Sequence, residues 1–336
     1  IRRVKLDGMR LECEAVETDS AVLAPTVSAQ AITTTQTIPP TAVATEWELM
    51  DINALRDSDS DAVRYYAAGD AGFVSAAQWP GAQLYRSSDS GASWQPAGAL
   101  VDAAVIGTVD GTLGNTLTPR RVDEHTVLQV RLRSGTLTSC THLQLLAGQN
   151  VALVGDEIIG FRDVSLASGI WTIKGLQRGM RGTEYAVATH DYSERFVLLA
   201  SDGTIETVDG AAADVGNARQ YKAVTLGESV ASTASKNLVA AANSAKPMAP
   251  VHIAATRKSN NDIVITAVRS DRKQQGWIDF VDTPMSEASE VYDLELYGGV
   301  TGSLVRTVTS TALPYTYTAA NQQTDNSGLL DRKSVV

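Results

Sequence analysis

Apolar and polar residues alternate in many short stretches of the chain, which is the pattern of half-buried β-strands. Gly, Asp and Asn residues separate these stretches, and helical periodicity is scarce. Residues 4–6 and 9–16, joined by Asp7-Gly8, form the first pair and predict a hairpin. Further strands are predicted at 47–52, 63–68, 83–88, 126–132, 150–154, 157–162, 170–173, 196–199, 251–256, 262–268, 290–297 and 304–308.

These strands predict a mainly β fold with tandem β domains. Glycine-rich turns between paired strands favour a barrel- or meander-like middle region, and the last stretch has the spacing of a β-sandwich. Two stretches poor in charge are predicted linkers, 25–45 and 226–250. The predicted units are strands of a preceding domain at 1–24, a β domain at 46–105, a β-rich domain at 106–225 and the sandwich at 251–330.

Composition narrows the class of protein. The 336 residues carry 28 Lys and Arg against 38 Asp and Glu, a net charge of −10, so we expect no direct nucleic-acid binding. Two cysteines are too few for a disulfide scaffold, and Cys13 and Cys140 are interpreted as free thiols. No apolar run approaches the ~18 residues of a membrane-spanning helix. The start at Ile1 and the unpartnered first hairpin suggest a piece of a longer product.

Residues 87–94 fit the Asp-box pattern S-x-D-x-G-x-x-W. Asp89 is expected to accept backbone N–H groups in a hairpin turn, Gly91 to take a positive φ, and Trp94 to pack beneath. In sialidase-like propellers the box recurs in several blades, whereas here it occurs once. A stabilised hairpin is therefore favoured over a glycosidase.

The segment 174–184 (KGLQRGMRGTE) predicts a tight turn of specific shape. Without a G-K-[ST] ending it is no Walker A loop. Its arginines are expected to pair with acids of a neighbouring subunit or with Asp156, Glu157 or Asp163. The residues assigned to this structural motif are Gly175, Arg178, Gly179, Arg181 and Gly182.

No catalytic group, metal site or cofactor is predicted. The histidines are scattered without metal-ligand spacing, and the acidic run 57–61 lacks the Gly and Glu of a calcium loop. His190-Asp191 imitates a catalytic base with its orienting acid, but no nucleophile motif accompanies it. A glycoside hydrolase would need two facing carboxylates, and Asp156 with Glu157, or Asp191 with Glu194, are the nearest candidates.

A carbohydrate-binding module is a further alternative, and it would need exposed aromatic rings. The candidate platform residues are Trp79, Tyr85, Trp94, Trp171 and Trp277. In the predicted sandwich, Trp277 before an acidic loop with Asp279, followed by the alternating strand of Tyr292, favours a structural role for all three.

Several of these stretches resemble one family, in the same order along the chain. The most specific block is 155–162 (GDEIIGFR), 175–184 (GLQRGMRGTE), His190 and 194–199 (ERFVLL). Residues 7–16, 26–28, 48–57, 79–82, 87–94, 221–225 and 249–252 extend the resemblance over nearly the whole chain. Together they are similar to the large tail-tip or baseplate hub protein of gene transfer agents and related siphophages, the megatron or host-specificity protein.

The resemblance implies a non-enzymatic, homotrimeric virion protein at the distal end of a phage tail. It implies contacts with other tail proteins (distal tail, hub, tip or fibre proteins) and with the host envelope or its glycans. Its roles would be tail assembly, host attachment and DNA delivery, and residues 251–330 would be fibronectin type III-like. One departure is 267–272 (AVRSDR), where the family usually has a Trp followed by paired arginines.

Overall fold

The computed structural model describes residues 3–15, 43–73, 79–116, 121–200, 202–273, 282–298 and 302–330. The predicted mainly β fold with tandem β domains is confirmed. The strands are β1 (Arg3–Asp7), β2 (Arg10–Glu14), β3 (Glu46–Met50), β4 (Arg64–Asp70), β5 (Ala82–Ser87), β6 (Gln95–Leu100), β7 (Ile106–Val109), β8 (Val122–Asp123), β9 (Leu128–Leu132), β10 (Val151–Val154), β11 (Glu157–Ala167), β12 (Ile170–Met180), β13 (Arg195–Leu198), β14 (Ile205–Asp209), β15 (Ala218–Thr225), β16 (Lys236–Val239), β17 (Val251–Arg257), β18 (Ile263–Val268), β19 (Tyr292–Tyr297), β20 (Leu304–Ser310) and β21 (Tyr315–Tyr317).

Helices are short. The α-helices are α1 (His142–Leu146) and α2 (Ala319–Asp325), and 3₁₀ turns lie at Asp57–Asp61, Glu184–Ala186, Ala212–Asp214 and Asn243–Ala245. Thr141 and Gln144 form a capping box at the start of α1. The acidic run 57–61 is thus a 3₁₀ turn.

In the described part of the N-terminal unit, residues 3–15, β1 and β2 make an antiparallel hairpin. Leu6 lies opposite Leu11, and on the other face Lys5 lies opposite Glu12. The two leucines are more than half exposed. The exposed leucines give this hairpin one apolar face that is suited to packing. Such packing matters because an isolated two-stranded hairpin is only marginally stable in water.

Strands β7 and β9–β13 form a six-stranded barrel. The sheet order is β11-β10-β13-β7-β9-β12, and pairing of β11 with β12 closes it. Alternate residues fill the interior: Ile159 and Phe161 of β11 meet Phe196 of β13 there, whereas Ile158 faces outward. This inside–outside alternation decides which polar residues of the same strands are buried.

Two other sheets form a sandwich, here the first sandwich. Its sheets are β14-β4-β3 and β16-β15-β5-β6. Their shared core contains Trp47, Tyr65 and Tyr221, and the rings of the two tyrosines meet edge to face, with centroids 6.3 Å apart. Because β14 and β15 follow the barrel in sequence, the barrel is an insertion between β6 and β14.

The barrel and the first sandwich share a third apolar cluster. On β4, Tyr65 and Ala67 face the sandwich core, while Tyr66 and Ala68 pack with barrel residues such as Leu153. Strand β4 is therefore buried on both faces, like a central strand of a layered protein.

The predicted unit boundaries differ from this arrangement. Strands β14 and β15 fall in the predicted 106–225 unit, but they pair with β4 and β5 of the predicted 46–105 unit. The predicted linker 226–250 contains β16, which pairs with β15. Sequence order misleads here because partner strands lie on either side of an inserted barrel. Most of 25–45 lies outside the described residues.

The last sheets form the terminal sandwich. Strands β17-β18-β21 face β19-β20, and the shared core consists of Ile263, Ile265, Leu296 and Tyr317. This core is small, and β17 is exposed along almost its whole length. The terminal sandwich therefore has fewer apolar contacts than the barrel.

Candidate functional site

The polar residues of the most specific sequence block meet at one end of the barrel. Glu157 has the same strand parity as the interior residues Ile159 and Phe161, and Arg178 has that of Leu176. Both side chains therefore point into the barrel at the end of its apolar interior. With His190 and Glu194 they form the barrel-end cluster.

Arg178 and Glu157 are both completely buried, and they form a forked ion pair. Arg178 Nε donates to Glu157 Oε1 at 2.9 Å, and Nη2 donates to Oε2 at 2.7 Å. The other donors reach backbone carbonyls of Gly114, at 2.7 Å, and Val187, at 3.3 Å. The guanidinium thus ties β12 to β11 and to two loops.

His190 lies between the two carboxylates. Its Nε2 is 2.7 Å from Glu157 Oε2, and its Nδ1 is 2.6 Å from Glu194 Oε2. Ionised carboxylates only accept hydrogen bonds, so both ring nitrogens donate when the imidazole is protonated. The cluster then contains two positive and two negative charges, which balance within the barrel end.

The pKa values follow from this geometry. Burial alone lowers the pKa of His190, but hydrogen bonds to Glu157 and Glu194 outweigh it and the net pKa is raised. Burial alone raises the pKa of Glu157, but His190 and Arg178 outweigh it and the net pKa is lowered. Each shift favours the charged form of its group.

The end of β12 requires glycine at Gly179. This residue has φ +61°, its N–H donates to Glu157 Oε1 at 2.6 Å, and a Cβ here would lie 2.8 Å from Cγ of Glu184. Four residues further, in the turn after β12, Thr183 Oγ1 accepts a hydrogen bond from the Ile158 N–H at 2.9 Å. The turn therefore completes the hydrogen bonding of the barrel end.

The geometry of the barrel-end cluster suits a structural role, in which its hydrogen bonds hold neighbouring strands together. Glu157 Oε1 and Oε2 already accept bonds from Arg178, His190 and Gly179, and the carboxylate has no exposed surface. His190 contacts Glu194, whereas the sequence offered Asp191 as its orienting acid. Of the acids proposed for the arginines, Asp156 pairs with Arg195 and Asp163 with Arg162.

The motif's other arginine, Arg181, lies on the far side of the turn at φ +55°. Its Nη1 donates to the carbonyl oxygen of Ala54 at 2.8 Å, and it has no ion pair with a carboxylate of the described chain. Of the remaining motif glycines, Gly175 has φ +64° and Gly182 has φ +80°. The two arginines of this motif therefore differ: Arg178 is paired with a carboxylate, whereas Arg181 has no such partner among the described residues.

The Asp-box forms a local turn. Asp89 accepts hydrogen bonds from Ser93 Oγ at 2.6 Å, the Ser93 N–H at 2.9 Å and Ser87 Oγ at 2.7 Å, which lower its pKa to about 2. Gly91 has φ +92°. Trp94 is half-buried, with Lys222 Nζ 4.5 Å from its ring centroid.

The candidate aromatic residues that the structure describes are divided between the first sandwich and the barrel. Trp79 is buried in the first sandwich, where its Nε1 donates to Thr45 Oγ1 at 2.9 Å. Trp171 packs against the barrel core. Tyr85 is half-buried in β5, and Tyr292 is half-buried in β19. Trp277 and Asp279 lie outside the described residues.

The described ranges contain no group of three or more His, Cys, Asp or Glu arranged to hold a metal ion, and Cys13 and Cys140 are free thiols. Among their helices, none has the length and apolar character needed to cross a membrane.

The strand parity that buries Glu157 and Arg178 is readable in the sequence. The sequence marks Glu157 as one of three possible partners of the arginines and Glu194 as a member of the most specific block and of a candidate carboxylate pair. Phe196 points inward from β13, and Glu194 has the same parity two residues before it. Gly114, whose carbonyl accepts from Arg178, has no such signal because it lies in a loop.

Comparison with known proteins finds similarity for the barrel. Residues 104–197 match the family model described as Rcc01698-like, C-terminal. No curated protein matches the chain. The matched segment covers less than a third of the chain and includes β7 to most of β13 and all four cluster residues. The barrel of this protein is therefore similar to the C-terminal region of that family.

Proposed function

We propose that this chain is a non-enzymatic structural component of the distal end of a phage-type tail. In this role it acts as a homotrimer that contacts other tail proteins and the host envelope during attachment and DNA delivery. The barrel-end cluster carries the proposal: its residues belong to the motif block that resembles tail-tip hub proteins. The match of the same segment to a family model supports treating the barrel as a conserved module.

The chemistry of the cluster fits a structural role. A catalytic carboxylate must reach a substrate, whereas Glu157 is fully buried and all its hydrogen-bond partners are internal. Charges used in this way fix the relative positions of strands, at the cost of desolvation. A barrel held rigid in this way suits a structural component of a larger assembly.

The test places a label on the intact particle. The turn Ser168-Gly169 between β11 and β12 is exposed, and a Cβ on Gly169 would contact nothing within 4 Å, so an epitope tag is tolerated there. Particles purified from cells producing the tagged chain are decorated with gold-labelled antibody. We expect gold at the tail end farthest from the head. Gold on the head, or particles lacking the chain, contradicts the proposal.

The trimer is tested separately. Light scattering of the chain within its purified tail-tip complex is expected to give three copies. A monomer at micromolar concentration contradicts the trimer and leaves the location to be decided by the gold label.

A further inference from the structure

A cavity of about 320 Å³ lies beside Arg181, between the loop after α1 and the end of β13. This volume is at the small end of the range for small-molecule sites. Its walls include apolar Leu55, Val151 and Leu199, and the charged residues Arg56, Arg181 and Asp202. It lies apart from the barrel-end cluster, whose residues do not line it.

Arg181 has no counter-charge within ion-pair distance in the described chain. Its Nη1 donates to Ala54 O, but its Nε is buried and has no hydrogen-bond partner. Burial lowers the pKa of Arg181, and Tyr66 and Asp57 oppose this only in part. A largely buried guanidinium without a paired carboxylate is unfavourable, in contrast to Arg178 on the same turn.

Arg56 adds a second positive charge to the cavity walls. Its side chain is exposed, and among the described residues the hydrogen bond of its guanidinium is a long one, Nη1 to Thr207 Oγ1 at 3.5 Å. The Asp202 carboxylate is engaged locally, since its Oδ1 accepts bonds from the Thr204 N–H at 3.1 Å and Thr204 Oγ1 at 2.7 Å. Two arginines against one aspartate leave the walls with a net positive charge.

We propose that this cavity binds a small organic oxyanion, with its carboxylate or phosphoryl group paired to Arg181 and Arg56. Guanidinium groups pair with either oxyanion through two parallel hydrogen bonds. The apolar walls then contact a short hydrocarbon portion of the ligand. This inference does not depend on the proposed tail function, because it rests on the charges and walls of the cavity and on no contact with another tail protein.

The experiment measures binding to the full chain by isothermal titration calorimetry at pH 7. The probes are butyrate, inorganic phosphate and, as the opposite charge on the same hydrocarbon, butylammonium. We expect butyrate or phosphate to bind with a Kd on the order of 1 mM, and butylammonium not to bind. Tighter binding of butyrate identifies a carboxylate ligand with a hydrocarbon part, and tighter binding of phosphate identifies a phosphoryl ligand.

Variants assign the binding to the two arginines. Arg56→Ala changes an exposed residue and is expected to weaken binding about tenfold, as loss of one charge-assisted contact would. Arg181→Gln is expected to abolish it. The matched control is Arg131→Ala, an exposed arginine paired with Asp110 outside the cavity, which should leave the Kd unchanged.

Three results overturn the proposal: neither anion binds, butylammonium binds as tightly, or Arg56→Ala binds like the unaltered chain. Should Arg181→Gln fail to fold, Arg56→Ala decides alone. None of these results bears on where the gold label appears on the particle.

Discussion

The barrel end and the terminal sandwich contain the same kind of polar group in different surroundings. In the barrel, Arg178 forks onto Glu157, and both side chains have no exposed surface. In the terminal sandwich, Arg306 forks onto Asp325 at 2.6 and 2.8 Å, and the hydroxyl of Tyr317 donates to the same carboxylate at 2.7 Å. There, 27% of the arginine side chain and 8% of the aspartate side chain remain exposed.

Hydrogen-bond geometry alone therefore does not determine how much an ion pair contributes to the stability of the fold. Water can replace a lost partner of Arg306, because the guanidinium already reaches solvent. It cannot replace a lost partner of Arg178, because the barrel interior lies on one side and closed loops on the other. Removing one member of the barrel pair is therefore costly, because the other charge stays buried, even though the pair as a whole adds little to stability.

The largest effect is expected from Glu157→Gln. The amide keeps the shape of the side chain but leaves Arg178 and His190 buried without their shared negative charge. We expect the barrel to lose about 3–5 kcal/mol of stability, measured by hydrogen exchange of peptides from β10 to β13 in increasing urea. The matched control is Asp163→Asn, an exposed partner of Arg162, for which we expect less than about 1 kcal/mol. Equal losses would remove the distinction between a buried and an exposed ion pair.

The next effect concerns the small core of the terminal sandwich. Leu296→Ala deletes one of its buried apolar side chains and is expected to cost about 2–3 kcal/mol there. Peptides from β17 to β21 should exchange faster, while those of the barrel should exchange as before. If protection of the barrel fell to the same extent, the two regions would unfold as one unit.

A smaller effect is expected from pH at the barrel end. The raised pKa of His190 means that its contribution is complete below about pH 6.5 and is lost as pH rises through its folded pKa. The lowered pKa of Glu157 means that its contribution is present above about pH 4.5 and is lost as pH falls through its folded pKa. Barrel stability should therefore be greatest between these limits and fall on the alkaline side.

The alkaline fall is checked by urea unfolding at pH 5.5 and pH 9. His190→Gln carries no titrating group at this position and should lose that part of the difference. Nitrogen-15 chemical shifts of the His190 ring should report both nitrogens protonated at pH 6, because its pKa is raised above the ordinary value. A neutral ring at pH 6 would contradict the charge balance of the cluster.

The smallest effect is expected from Asp325→Asn. Its pKa is lowered mainly by the hydrogen bond from Arg306, but the arginine is partly solvated. We expect a loss of about 0.2–1 kcal/mol, measured by exchange of β20 and α2 peptides. A loss as large as that of Glu157→Gln would show that partial exposure does not weaken the pair.

Much of the fold follows from local patterns, since alternation locates most strands. Strand β6 was not predicted because Pro96 and Gly98 interrupt its pattern, and β14 was not predicted because its two buried apolar residues, Ile205 and Val208, do not alternate with polar ones. Closure of the barrel also depends on the pairing of β7 with β13 and of β9 with β12, strands that are far apart in sequence and that no local pattern joins. The same holds for the sandwich strands on either side of the barrel.

The candidate site was predictable in part. The glycines and arginines of 175–184 indicated a shaped turn. Strand parity separates Glu157 from Asp156, but it does not separate Glu157 from Asp163, which has the same parity and is exposed. Arg178 and Arg181 have different partners because Arg181 has a positive φ, which turns its side chain toward Ala54. The sequence alone does not distinguish them, because each arginine is followed directly by a glycine, Gly179 or Gly182.

The position of the barrel within the first sandwich has a consequence for biogenesis. During synthesis, β4 and β5 emerge with one edge each unpaired, and their partners β14 and β15 lie beyond residues 101–204. At roughly 5–20 residues per second, those edges wait several seconds for the ribosome to deliver their partners. The barrel, whose strands are contiguous, can fold in that interval and bring the two halves of the sandwich together. Nascent chains stalled before residue 205 are thus the stage most exposed to mispairing with neighbouring copies.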